Sequence, residues 1–426
     1  MQSIFSSSVS NNRQMNKFVS LLLSLASGLS LAAEEWNQFR GPSGQGHAAW
    51  DNLPLKWNRK ESVAWKTDLP GKAWSSPIQV GESLILTNAI ELEDGRLKLE
   101  ALALDLATGE REWSVFLFSY DKAPRIHKKN SHASPTPFHD GERIFVHFGN
   151  LGTACLSKDG KVFWKKRFDY SPVHGSGCSP VVHGDLLLFS ADGAQNPGLY
   201  ALDKKTGKVR WKAKRDSEAK RKFSFCTPLV VSHKGREQII SPASDYVFSY
   251  DLQGNQLWKS HYPGGYSVVP RPVHENGMIY VGSGYDRPTL YAVRIDGKGD
   301  VTDTHVVWKR SRSVPHNPSP VLVGFKEGTL LFMAADSGIV SCLDARTGEL
   351  KWMERVAGSC SGSLLHAAGR IYLTDEGGTT FVFRADQEYD LLAENELEER
   401  TLASPIPVPG GLVLRTESAV WKISGK

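Results

Sequence analysis

Cysteine is scarce in this chain and never paired in sequence. Five occur among 426 residues, an odd and widely scattered set, so no disulfide framework holds the fold together. No Cys-x-x-Cys-His is present, which excludes a covalent c-type haem. Walker loops, His-Glu-x-x-His and Gly-x-Ser-x-Gly are missing too, so nucleotide-cradling, zincin and serine-hydrolase chemistry have no foothold. Long apolar runs are also lacking: Phe18 to Leu31, 14 residues, is too short to span a bilayer comfortably. Nor is there a large excess of one charge. Net charge is +5, and falls to +3 once Arg13 and Lys17 are removed, so net charge implies no strong polyanion partner.

Those two cations precede the apolar run without any acid, and Ser30-Leu31-Ala32-Ala33 ends it in small residues. This is the pattern of a secretory signal peptide over residues 1–33, with Met15 an alternative start. An exported protein, periplasmic or secreted, is expected. Cys155 is the first cysteine, so no lipid-accepting cysteine follows the cleavage site.

What the chain does have is 39 Gly, 12 Trp and a repeat. Asp105-x-x-Thr108-Gly109-x-x-x-Trp113 recurs as Asp203-x-x-Thr206-Gly207-x-x-x-Trp211 and as Asp344-x-x-Thr347-Gly348-x-x-x-Trp352. Looser copies end in Trp164, Trp258 and Trp308. Counted from Trp65, successive Trp are 44 to 51 residues apart, a period of four-stranded blades rather than helical repeats. Each unit reads physically. A strand such as Leu199-Tyr200-Ala201-Leu202 runs into Asp203, whose carboxylate can accept turn amides. Gly207 supplies the positive φ of the hairpin, and Trp211 is a plate suited to packing between blades.

Eight openings precede first strands: Ser76-Pro77, Ser134-Pro135, Ser179-Pro180, Thr227-Pro228, Val269-Pro270, Ser319-Pro320, Ser361-Gly362 and Ser404-Pro405. An all-β, eight-bladed β-propeller over 61–426 is expected, preceded by a lead-in over 34–60. The last blade lacks a fourth strand, and Val63-Ala64-Trp65-Lys66 lacks a blade, so the termini should pair and protect each other's edges. The seventh blade breaks the Trp pattern, with Leu397 near the expected place.

The Ala-x-Asp-x-x-Thr-Gly-x-x-x-Trp repeat resembles that of the pyrroloquinoline quinone (PQQ)-type propellers. That family includes quinoprotein alcohol dehydrogenases and outer-membrane assembly lipoproteins that act as scaffolds. Trp36-Asn37-Gln38-Phe39-Arg40-Gly41-Pro42-Ser43-Gly44 is similar to the lead-in of exported planctomycete-type propellers. The dehydrogenases carry a vicinal Cys-Cys beside the cofactor and long loops walling it in; this chain has no Cys-Cys pair and little sequence beyond strands and turns. The resemblance therefore implies a fold more firmly than a chemistry.

In such blades the loops between second and third strands share a face with the loops entering the next blade. The first set brings Asp192, Asp245, Asp286, Asp336 and Asp375 there, the last beside Glu376. The second brings Trp74, Arg125, His127, Lys128, His132, His174, Phe225, Tyr266, Arg271 and His316. Together they form a candidate binding mouth for a polar ligand or a divalent cation. An Asp beside Gly is ordinarily turn chemistry, however, and loop His are common, so neither catalytic nor metal ligands are assigned. Basic clusters at Arg125, Lys128, Lys129, Lys212, Lys214, Arg215, Lys220, Arg221, Lys222, Arg310 and Arg312 are ordinarily solvated loops, or else a rim for an acidic protein segment or envelope polysaccharide. Nucleic acid is not expected, because no aromatic platform is interleaved with these charges. The leading expectation is a monomeric, non-catalytic binding or scaffold propeller of the cell envelope with no cofactor. The alternative is a dehydrogenase of alcohols or sugars using PQQ with calcium. The cysteines are expected to be free thiols, Cys155 and Cys342 as small buried residues of third strands.

Overall fold

The computed structural model describes residues 35–425, and the expected signal segment lies outside the described residues. Eight four-stranded antiparallel blades follow one another along the chain. Blade 3 is representative: Val181–His183, Leu186–Ser190, Gly198–Asp203 and Val209–Lys214. Among the described residues helix is limited to one turn at Thr302–His305 and a 3-10 turn at Gly149–Leu151. As expected, the eighth blade is completed from the other end of the chain: Val63–Asp68 pairs antiparallel with Ala419–Ser424.

The repeat motif is the joint between blades. Asp203 accepts the Thr206 amide and Gly207 turns the chain at φ +67. A Cβ on Gly207 would sit 2.7 Å from the ring of Trp164 in the preceding blade, so glycine lets the indole lie flat on the turn. The same indole donates its N–H to Lys204 O at 3.0 Å. Trp65, Trp113, Trp211 and Trp308 dock on a turn glycine of the next blade in the same way, and Trp352 bonds Asp386 O in a turn without glycine, all at 3.0 or 3.1 Å. Each of these hydrogen bonds satisfies a large apolar plate's one polar atom while the ring is packed.

Register explains what stands opposite the plates. Trp113, Trp164, Trp211, Trp258, Trp308 and Trp352 pair with Ala103, Cys155, Ala201, Ser249, Ala292 and Cys342. All are small, which is the place of Cys155 and Cys342 in the fold. All five cysteines are buried and unpaired. In blade 7 the equivalent position, opposite Val382, is Ala393 and not Leu397, which lies beyond the strand. A blade 7 indole would have nothing to dock on, because blade 8 has no turn between its third and fourth strands: the chain termini meet there. Instead Trp57 of the lead-in is buried at this seam, held by its backbone N–H, which donates to Asn395 Oδ1; its indole N–H has no partner among the described residues. Trp258 is the other exception. The connection in blade 5 is long, with Gly299–Asp300 pairing parallel to the outer strand of blade 4, and Trp258 turns inward to bond Gln238.

Three blade openings differ from those expected. The inner-strand positions form a ring in which Ser76 N–H donates to Thr136, Thr136 to Ser179, Ser179 to Thr227, Arg271 to Ser319, Ser319 to Ser363 and Ser363 to Ser404. Ser76 Oγ closes it on Ser404 O. The openings of blades 2, 5 and 7 are therefore Thr136, Arg271 and Ser363, two residues after Ser134, Val269 and Ser361. A two-residue slip keeps the same face of a strand, so sequence alternation does not distinguish the two registers.

The lead-in docks inside the ring. Gln79 N–H bonds Trp36 O, His139 N–H bonds Asn37 O, and His366 N–H bonds Gly46 O. His47–Ala48 then pairs parallel with the inner strand of blade 7. The segment thus plugs the channel at the end away from the candidate mouth.

Two outcomes are expected. Trp211→Ala should lower unfolding free energy by about 3–5 kcal/mol in denaturant titration, because a packed plate between blades is lost; a loss under 1 kcal/mol would show the joint to be dispensable. Deleting residues 34–68 should expose the edge of Ala419–Ser424 and cause aggregation, followed by light scattering. A monodisperse variant with unchanged Tm would contradict the closure.

Candidate binding cavity

The opposite end of the channel is open and forms a cavity of about 840 Å³ whose lining includes Phe39 of the plug. Of the expected mouth residues, Trp74, His174, Phe225, Tyr266, His316 and Asp336 line it, as do His127 and Lys128. One sector is aromatic. Phe223, Phe225 and Tyr266 form a buried cluster, with ring centroids 6.0 Å apart for the two Phe and 5.4 Å for Phe223 and Tyr266. His174 meets Phe223 edge-on at 5.3 Å and His127 at 5.4 Å. Burial, and then the charge of His127, lower the pKa of His174. Tyr285 lies 5.2 Å from His316 and is 52% exposed.

Most charges at the mouth are already paired. Lys129 bonds Glu376 at 2.7 Å, and Arg221 reaches Asp286 at 3.2 Å while stacking 4.4 Å over Tyr266. Asp336 accepts the backbone N–H groups of His316 and Asn317 and the Asn317 side-chain amide. Lys128 has no carboxylate partner among the described residues.

The remaining expected residues lie elsewhere. Asp192 is buried in a bidentate pair with Arg215, at 2.9 and 3.0 Å. Burial pushes its carboxyl up and the guanidinium opposes this, so both groups brace the wall rather than face the channel. Asp245 sits at φ +65 in a turn, and its backbone N–H bonds Gly265 O. Asp375 caps its own turn through the amides of Gly377 and Thr379. Asp286 lies beside the mouth, tied to Arg221. His132 lines a separate recess of about 190 Å³ with Arg125 and Phe148. Arg271 is buried beneath the floor, where it bonds Phe39 O and Pro228 O. Its guanidinium has no carboxylate partner among the described residues, and burial lowers its pKa to about 10.

Sequence reasoning missed Phe39, Phe223, Tyr285, Asn317 and the inner hydroxyls. Phe223 was legible as the alternate-position partner of Phe225, and Tyr285 and Asn317 adjoin Asp286 and His316. Phe39 carried no signal, since no repeat encodes where the lead-in docks.

A PQQ–cation centre would need several cation ligands among these residues. Among the described residues no cluster of three His, Cys, Asp or Glu could hold a metal ion. Among the described residues Asp336 is the only carboxylate in the cavity lining, and it already accepts three hydrogen bonds. The donor set does not fit a cation there.

Fold and cavity define a PQQ-type eight-bladed propeller with a one-ended central cavity. Residues 101–322 and 244–416 match the family described as outer membrane protein assembly factor BamB. The chain belongs to that family. It is 31% identical over 315 residues to outer membrane protein assembly factor BamB of Yersinia pestis, covering 73% of this chain and 66% of that protein. It is also 30% identical over 154 residues to a lanthanide-dependent methanol dehydrogenase of Methylorubrum extorquens, covering 32% and 24%. The chain thus spans just under two thirds of the first relative's length and a quarter of the second's. The crystal structure of BamB from Moraxella catarrhalis superposes with a TM-score of 0.58 at 10% identity, covering 84% of this chain and 99% of that one, a likeness of fold.

Half-buried imidazoles gather where the lead-in meets the inner strands of blades 5 and 7. His47 and His366 meet through their Nδ1 atoms at 3.1 Å, and burial lowers both, and His274, to about 4. Unfolding restores ordinary values near 6.5, so the unfolded chain binds more protons between those limits. Stability should therefore be full above pH 6.5 and fall as pH drops towards 4. Thermal unfolding across that range checks this, and His366→Gln should flatten the slope. A Tm independent of pH would contradict it.

Proposed function

We propose that this protein is a non-catalytic binding propeller of the cell envelope that engages a polar partner, protein or envelope ligand, at the open cavity. The observation that carries the reading is the cavity itself: open on one face, floored by the plug, aromatic on one side, and without a donor set for a catalytic cation. Family membership supports it, since the matched family is described as an assembly factor. No helix among the described residues is long and apolar enough to cross a membrane, and the expected signal segment points to export.

The double variant His174→Ala/His316→Ala tests the site. Both residues are half-buried loop side chains, so about 0.5 kcal/mol each is the expected cost. Envelope components retained by the wild-type protein should be lost. Retention of every component by a stable variant would remove the cavity as the binding surface. A parallel thermal scan with PQQ and calcium should leave Tm unchanged. A rise of several degrees would favour the dehydrogenase reading, because tight binding stabilises the folded state by mass action.

A further inference from the structure

We propose, building on the cavity as binding site, that its ligand is the end of a neutral oligosaccharide, recognised by a crown of hydroxyls beneath an aromatic sector.

The crown follows from the hydrogen-bond ring. Thr136, Ser179, Thr227, Ser363 and Ser404 each accept one backbone N–H through the side-chain oxygen, at 2.8–3.1 Å. All five line the cavity. None donates its own proton within the described residues, so each keeps one O–H and one lone pair for a ligand. Five such groups around one throat match a partner whose groups also donate and accept, as sugar hydroxyls do. The aromatic sector supplies the other half of sugar chemistry, because the C–H face of a pyranose packs on the face or edge of a ring. Tyr285 stands exposed beside it.

Charge argues against an acidic ligand. An anion would have to compete with Glu376 for Lys129 and with Asp286 for Arg221, leaving Lys128 as the lining cation without a carboxylate partner among the described residues. The ring argues against an extended peptide, which would bind by pairing with a free strand edge. The inner-strand amides of Ser76, Thr136, Ser179, Arg271, Ser319 and Ser363 are already taken by the ring. The plug settles the mode of entry. A polymer cannot thread a channel closed by Phe39 and the segment below it, so a glycan enters by one end. A volume of about 840 Å³ suits a short terminus.

The test is an array of neutral oligosaccharides, acidic oligosaccharides and extended peptides, with titration calorimetry on any binder. Neutral glycans should bind, at least tenfold more weakly to Tyr285→Ala. Thr227→Val should lose binding and Thr227→Ser should restore it. The serine variant also separates a lost hydroxyl from a fold disturbed at the ring. If no neutral oligosaccharide binds, the proposal is wrong. If an acidic glycan or a peptide binds and Tyr285→Ala weakens it, the proposal fails while the cavity stands as the site. If every binder is indifferent to Tyr285→Ala and to His174→Ala/His316→Ala, both readings fail.

Discussion

The docking of an indole on the next blade's turn is the interaction on which this structure depends. A blade cannot cover both of its own faces, so each must find a partner on either side. The Trp plate does this with one residue, burying its ring over a turn glycine and spending its N–H on a carbonyl of the same turn. Where that geometry is broken, the chain supplies a substitute. At blade 5 the long connection takes in Trp258, and at the seam between blades 7 and 8 the lead-in brings Trp57.

The seam shows how closure works. Trp65 stacks on Gly109 of blade 1 while its strand completes blade 8, so one residue belongs to two joints. Arg415 crosses from blade 8 to bond Ser75, Thr87 and Asn88 of blade 1. The largest buried cluster gathers Trp36, Leu53 and Trp57 of the lead-in with residues of blades 7, 8 and 1. A ring sealed in this way leaves no free strand edge at its termini.

Inside the ring, the same backbone logic produces the cavity. Side-chain hydroxyls satisfy amides that adjacent inner strands, too far apart to pair, would leave unbonded. The lead-in stops one end with a backbone bonded to several blades, and the other end stays open. Function follows from that asymmetry, since a single opening lets loops from many blades converge on one ligand.

Fold class, blade number, the Trp joint and the pairing of the termini were all legible in the sequence, because each rests on local spacing repeated many times. The period names the blade, and Asp-x-x-Thr-Gly-x-x-x-Trp names its turn. Register within a blade was less legible: Ser134 and Thr136 differ by one alternation period, and only the bond from Ser76 N–H selects Thr136. The candidate site was legible in part. Loop assignment brought His174, Tyr266 and His316 to the face that carries the cavity, yet it could not tell Asp336 in the cavity from Asp192 buried against Arg215. That distinction depends on which partner the end of another strand of the same blade brings up, a contact between residues 23 apart whose existence no local pattern records. The position of the plug belongs to the same class. Sequence determined that the lead-in exists, but tertiary structure alone decided that it closes the channel, because its bonds go to residues in different blades that only the finished ring brings together.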